Sequence, residues 1–250
     1  MNIGNNLDIF ICAHKDFNPI VTNNVYKIID ARKLKQENYK VLGKYTDDEL
    51  AEWYHIFYIA ENIELKDYIG ICHYRRYFSF LDDIPNIDEL FKTYDLISIN
   101  PVNEPLGIEG QYKFCHNIDD LYLLGEVLKE KFSDYYEIYN MFINSNILIH
   151  NNMLIMKKED FLEFVEFIKN VLIEYLNKID NDIDKRIFDN LDKYLKPFYP
   201  QNLIKYQKRL LSYIIERLTN IYLLKNFNNI YTYDLIMTED KYNNINKFNI

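Results

Sequence analysis

The chain has 250 residues, 29 Lys and Arg against 38 Asp and Glu, a formal charge of −9, and a composition that is 48% hydrophobic and 16% aromatic. So much apolar side chain supplies a sizeable core and excludes a largely disordered chain, while the acidic balance is a poor match to nucleic acid, whose binding leans on neutralised phosphates. Only 6 glycines occur, with no G-x-G-x-x-G and no G-x-x-x-x-G-K-[ST], which counts against a dinucleotide enzyme or a P-loop NTPase.

In chain order, Leu7 to Ala13 is a nearly continuous apolar run ending at His14-Lys15, the pattern of a strand buried on both faces. Thr46 and Glu49 have capping-box spacing and open a helix carrying Leu50, Trp53, Tyr54, Phe57 and Tyr58 on one face. Asp67 to Cys72 predicts a second buried strand, followed by His73-Tyr74-Arg75-Arg76-Tyr77-Phe78. A short helix is expected over 86–94 and a strand over 95–99. Two prolines and two glycines make 100–116 a loop, and Asn117 caps a helix running to about Phe132. Short strands flank a turn at Asn151-Asn152. Long amphipathic helices are predicted over 159–179 and 202–225, with 180–195 helical too and Pro197 and Pro200 ending that section. The last residues are polar. Strands alternate with helices up to Met156 and helices dominate afterwards. The expected fold is therefore α/β, with a parallel or mixed sheet over residues 1–158, a helical section over 159–237 packed on it, and a polar tail over 238–250.

Cys12, Cys72 and Cys115 form no C-x-x-C pair and read as free thiols in a reducing cytoplasm. Met1 to Asp8 lacks a basic stretch followed by an apolar core, and no run approaches 18 apolar residues, so neither a signal peptide nor a spanning helix is expected.

In open α/β sheets ligands bind beyond the carboxyl ends of the strands. Two predicted strands end there in functional side chains: His14 and Lys15 after the first, and His73, Tyr74, Arg75 and Arg76 after the second. Guanidinium forks beside imidazole suit a diphosphate or a carboxylate. The segment 109–120 mixes donors and carboxylates. Asp119 or Asp120 could serve as a general base or simply favour the helix N-terminus. The two D-x-D spacings over 180–184 read as a solvated turn, and the five histidines show no H-x-x-x-H spacing, so no metal ligands are assigned. The last long helix mixes Lys205, Lys208, Arg209 and Arg217 with apolar residues. Core packing is its default, and contact with an anionic membrane surface is the alternative.

Tyr68 to Phe78, Y-I-G-I-C-H-Y-R-R-Y-F, closely resembles the hallmark of the DUF4422 family, bacterial proteins of capsule and exopolysaccharide biosynthesis regarded as glycosyltransferases. Further similar positions follow in the family's order: His14-Lys15, Glu52, Asn62, Gln111-Tyr112, His116, Asn152 to Lys158, Gln207 with Arg209, and Tyr213 to Leu218. Ser212 departs from the family's usual glycine, and the segment before Glu52 is shorter than usual.

The resemblance implies a GT-A-like transferase, with a mostly parallel Rossmann-like sheet flanked by helices, moving a hexosyl group, galactosyl or galactofuranosyl by analogy, from a UDP-sugar to a glycan or lipid-linked oligosaccharide. Nucleic acid is not an expected partner. The place is the cytoplasm, with peripheral contact to the inner membrane compatible. The alternative is a non-catalytic protein that binds a sugar or sugar nucleotide. GT-A enzymes commonly hold Mn or Mg at a D-x-D motif; here His73, Arg75 and Arg76 stand at the strand end instead. On this reading Asp119, Asp120 or His116 is the base, His14, Lys15, His73, Tyr74, Arg75 and Arg76 bind the donor diphosphate, and Gln111 and Asn152 bind sugar hydroxyls. Glu52 and Asn62 buttress the cationic cluster from behind.

Overall fold

The computed structural model describes residues 6–34, 42–195, 203–238 and 245–247. β1 (Leu7–Ala13), β2 (Tyr26–Asp30), α1 (Ala31–Leu34), α2 (Asp47–Leu50) and α3 (Glu52–Asn62) lead to β3 (Tyr68–His73) and β4 (Arg76–Phe78). Then come α4 (Ile87–Leu90), β5 (Leu96–Ile99), β6 (Val102–Asn103), α5 (Gly107–Cys115), α6 (Ile118–Lys131) and α7 (Ser133–Ile143). β7 (Ile147–Leu148), β8 (Leu154–Lys157), α8 (Lys158–Lys178), α9 (Ile183–Asp189) and α10 (Leu191–Tyr194) follow. The chain continues through α11 (Leu203–Gln207), α12 (Leu210–Asn226), β9 (Ile230–Tyr233), β10 (Leu235–Thr238) and β11 (Ile245–Lys247).

The main sheet runs β2-β1-β3-β8-β5-β9. β1 is parallel to β2 and β3, β5 is parallel to β9, and only β8 opposes its neighbours. After β3 the chain turns back into β4, which pairs with β10, and β10 carries β11. All seven residues of β1 are buried. Alternate side chains serve opposite faces, as the pleat requires. Phe10 and Cys12 join one core cluster with Trp53, Phe57, Phe164 and Leu218, whereas Leu7, Ile9 and Ile11 join another with Phe78, Ile97 and Ile155. Each such fully buried apolar side chain stabilises the fold by about 1.5–3 kcal/mol.

Several expected elements take a different form. The capping box at Thr46 is present, but its helix stops after one turn. Ala51, at φ 52° and ψ −129°, sits where glycine is normally required, and α3 starts afresh at Glu52. Much of the predicted loop 100–116 is the helix α5. Pro101 and Pro105 precede that helix rather than interrupt it, and Gly110 is tolerated inside it. The region 180–195 divides into α9 and α10 at Asn190, and the last long helix is broken at Lys208-Arg209 into α11 and α12. Pro197, Pro200 and Asn202 lie outside the described residues.

The section after residue 158 is not purely helical. β9 adds to β5 and β10 to β4, so both parts of the chain share one sheet, and part of the polar tail is the strand β11. The apolar face of α12, with Leu211, Ile214, Ile215 and Leu218, lies inside the core cluster. Among the described residues no helix is long and apolar enough to cross a membrane.

Candidate functional site

Parallel pairing of β1 with β3 puts Cys12 opposite His73, so both strands deliver their terminal residues to one edge. The backbone N–H of Tyr74 donates to the Cys12 carbonyl at 3.1 Å, and His73 pairs with Arg76 across a two-residue turn. Beyond this edge lies a cavity of about 640 Å³. All five histidines of the sequence, separated by up to 136 positions, line it: His14, His55, His73, His116 and His150.

The Tyr74 ring organises the first wall. His14 meets it edge-on at 5.0 Å, Arg75 lies over it at 5.2 Å and the Lys15 ammonium at 5.3 Å. Burial, with Arg209 nearby, lowers the pKa of His14. His73 Nε2 donates to the Asn151 carbonyl at 2.5 Å, which fixes its ring, and burial holds it below the usual imidazole range. Asn151 and Asn152 both adopt positive φ, 68° and 50°, a conformation asparagine tolerates best after glycine. At the start of α3, Glu52 Oε1 accepts from Asn152 Nδ2 at 2.7 Å, and His55 Nε2 donates to the Ala13 carbonyl at 2.9 Å.

The facing wall comes from α12 and the residue before it. Arg209, Ser212, Tyr213, Glu216 and Arg217 follow the spacing i, i+3, i+4, i+7, i+8, one stripe of a helix whose other faces are core. Tyr213 stacks on His116 at 3.8 Å, with Tyr206 in the same stack. Arg217 is 1% exposed; it pairs with Glu216 at 2.6 Å, donates to Gln111 Oε1 and lies over the Tyr112 ring. With Oε1 engaged, Gln111 has its amide N–H groups left to donate, and its Nε2 lies 4.0 Å from Cys115 Sγ.

Glu216 also accepts the Asn151 N–H at 3.0 Å and faces His150, whose Nε2 meets Glu104 at 2.7 Å. Burial opposes ionisation of Glu216, but His150, Arg217 and Asn151 together hold its pKa at about 2. Burial opposes protonation of His150, but Glu216 and Glu104 raise it. The signs follow directly. Glu216 stabilises the fold above its ordinary 4.5, and this is lost as pH falls toward about 2. The His150 contribution is complete below its ordinary 6.5 and fades as pH rises through its raised value. The urea midpoint of Glu216→Gln should lie well below that of the wild type near neutrality, and the gap should narrow as pH drops from about 5 to about 3. A gap independent of pH would contradict this cluster.

Residues 8–195 match the family described as a domain of unknown function, DUF4422. The chain belongs to the DUF4422 family. Its fold is similar to that of a solved structure, the WbbM bifunctional glycosyltransferase in its apo form, with a TM-score of 0.71 and 17% identity. That match covers 92% of this chain and 45% of the other, so the DUF4422 chain spans less than half the length of that enzyme. The likeness is one of fold: a GT-A-like α/β sheet flanked by helices. No curated protein sequence matches the chain.

In this DUF4422 chain His14, His73, Tyr74, Arg75, Arg76, Gln111, His116 and Glu52 line one cavity. Lys15 stands beside it over Tyr74, and the buried Asn152 stands behind it on Glu52. Three expected residues are elsewhere. Asn62 is exposed, with its amide on the Tyr58 carbonyl, and α3 carries it roughly 15 Å from Glu52. Asp119 pairs with Lys193 at 2.6 Å on the surface. Asp120 is fully buried against Arg186, Tyr175 and Tyr194, tying α6 to α8, α9 and α10. The reason for both is helical: they lie in the first turn of α6, after Asn117, which turns them away from the cavity that His116 lines.

Sequence reasoning did not single out His55, His150, Asn151 or Tyr206 for the site. Of α12 and the residue before it, it noted Arg217 and Arg209 without joining them to the strand ends. The available signal was the polar stripe in an otherwise apolar helix. Among the described residues no three His, Cys, Asp or Glu side chains converge to hold a metal ion by themselves.

Proposed function

We propose that the chain is a glycosyltransferase that takes a sugar from a nucleoside-diphosphate donor, a UDP-sugar by family analogy. One observation carries this reading: the hallmark residues His73, Tyr74, Arg75 and Arg76 meet Arg209 and Arg217 across a single cavity large enough for a nucleotide sugar. Arg75, Arg76 and Arg209 pair with the diphosphate and stabilise the charge that develops as it leaves. Gln111 donates to a ligand oxygen, and the Tyr213–His116 stack offers a flat face to a sugar or base. A hexosyl group, galactosyl or galactofuranosyl, and a lipid-linked or glycan acceptor at the cytoplasmic face of the inner membrane complete the proposal by the same analogy.

The test is a thermal-shift panel of UDP-, GDP- and CMP-sugars, followed by measured release of the nucleotide with and without EDTA. The expected result is stabilisation by one nucleotide class and slow release that persists in EDTA. Binding without any release would favour a non-catalytic sugar-nucleotide-binding protein. Complete, metal-reversible loss in EDTA would refute diphosphate stabilisation by side chains alone.

A further inference from the structure

We infer that Glu52 is the base that takes the proton from the attacking hydroxyl, with Asn152 as the residue that positions it; this rests on the transferase reading above. Four carboxylates line the cavity: Asp47, Asp48, Glu52 and Glu216. Glu216 is committed to Arg217, His150 and the Asn151 N–H and is held strongly ionised, which makes it a poor proton acceptor. Asp47 and Asp48 belong to the first turn of α2, where Asp47 is felt by His14 at the other strand end. Glu52 instead lies against the hallmark cluster: its charge reaches His73 on β3, Arg76 on β4 and Cys12 on β1, with His55 one turn along its own helix.

Two further observations mark Glu52 as a placed group. The chain enters it through Ala51, whose strained backbone breaks the helix, and strain of that kind collects at functional sites. Asn152 is 2% exposed and gives its amide N–H to Glu52 Oε1, while its own Oδ1 is buried with no hydrogen-bond partner among the described residues. Burying an amide oxygen without a partner is destabilising. The contact therefore fits a role in aiming Glu52 better than one in stabilising the fold.

In the step, the acceptor hydroxyl oxygen forms a bond to the anomeric carbon and its proton passes to the Glu52 carboxylate. The bond from the anomeric carbon to the phosphate oxygen breaks, and the nucleoside diphosphate leaves with the electron pair. Glu52 then returns the proton to solvent. When water is the acceptor the same step releases free sugar.

The experiment uses the full chain and the donor that the nucleotide-sugar panel identifies, read as nucleoside diphosphate released. Glu52→Gln should retain donor binding and lose about 10²–10⁴-fold in turnover. Asn152→Asp places a second carboxylate beside Glu52, disfavours its ionised form, and should move the acid limb of the pH–rate profile to higher pH. The inference is overturned if Glu52→Gln turns over like the wild type or loses turnover and donor binding in the same proportion. It is equally overturned if Asn152→Asp leaves the acid limb in place, and this second variant decides the matter should Glu52→Gln fail to fold. A wild-type chain that binds and releases no nucleotide overturns the transferase reading itself, and the role of Glu52 with it.

Discussion

Arg75→Ala is expected to weaken nucleoside-diphosphate binding by roughly 10- to 100-fold while leaving the melting temperature almost unchanged. The magnitude follows from the loss of charge-assisted hydrogen bonds worth about 1.5–3 kcal/mol. The small effect on folding follows from position: Arg75 is half-exposed in the turn between β3 and β4, and its guanidinium lies flat over Tyr74. Arg76 differs. Burial lowers its pKa, and the Glu52 and Glu216 carboxylates hold its charge in place. Arg76→Ala should therefore cost both binding and stability, and Arg76→Lys should recover stability better than affinity, because an ammonium cannot reproduce the guanidinium fork. Calorimetric titration with UDP, paired with thermal melts, separates the two effects. Equal affinity in Arg75→Ala and the wild type would remove the hallmark turn from the donor site. The affinity lost should also shrink at high salt.

Asp120→Ala should destabilise the fold by about 3–5 kcal/mol, because it leaves a buried ion pair without its anion. Arg186 lies 2.9 Å from the carboxylate, Tyr194 donates at 2.7 Å and Tyr175 at 3.3 Å, all around a side chain with no exposure. For a chain of this size the loss corresponds to roughly 10 °C in melting temperature. Its neighbour provides the control. Asp119 pairs with Lys193 at a shorter distance but on the surface, so Asp119→Ala should cost no more than about 1 kcal/mol. Urea denaturation of the two variants checks both values. Comparable losses would mean that the Asp120 cluster is not the tie it looks to be. Nucleotide release per folded molecule should be unaffected by either substitution, since neither carboxylate lines the cavity.

The strand ends were legible in the sequence because a buried parallel strand is a short apolar run, and the polar residues that follow it stand out. His14 and the run His73 to Arg76 were found in this way. Helix starts with side-chain caps were legible too: Thr46 and Asn117 each accept the expected backbone N–H. The breaks were not. Nothing local at Ala51 announces a positive φ, since alanine favours continuing the helix. β9 and β10 were missed for a related reason. Their backbone pairs with strands more than 130 residues earlier, and that pairing makes a strand of a segment with no clear alternation of its own.

By itself the sequence determined that this is an α/β chain with cationic strand ends, because those properties reside in short runs of side chains and their spacing. The tertiary structure alone decided which polar residues share a cavity. Asp119 and Asp120 sit close in sequence to His116, yet half a helical turn directs them to the surface and the core. Arg209, Glu216 and Arg217 lie more than 130 residues from the hallmark, yet α12 crosses opposite it and completes the wall. A helix fixes direction residue by residue, while convergence across the chain is set by how the helix packs, and packing is a property of the whole core.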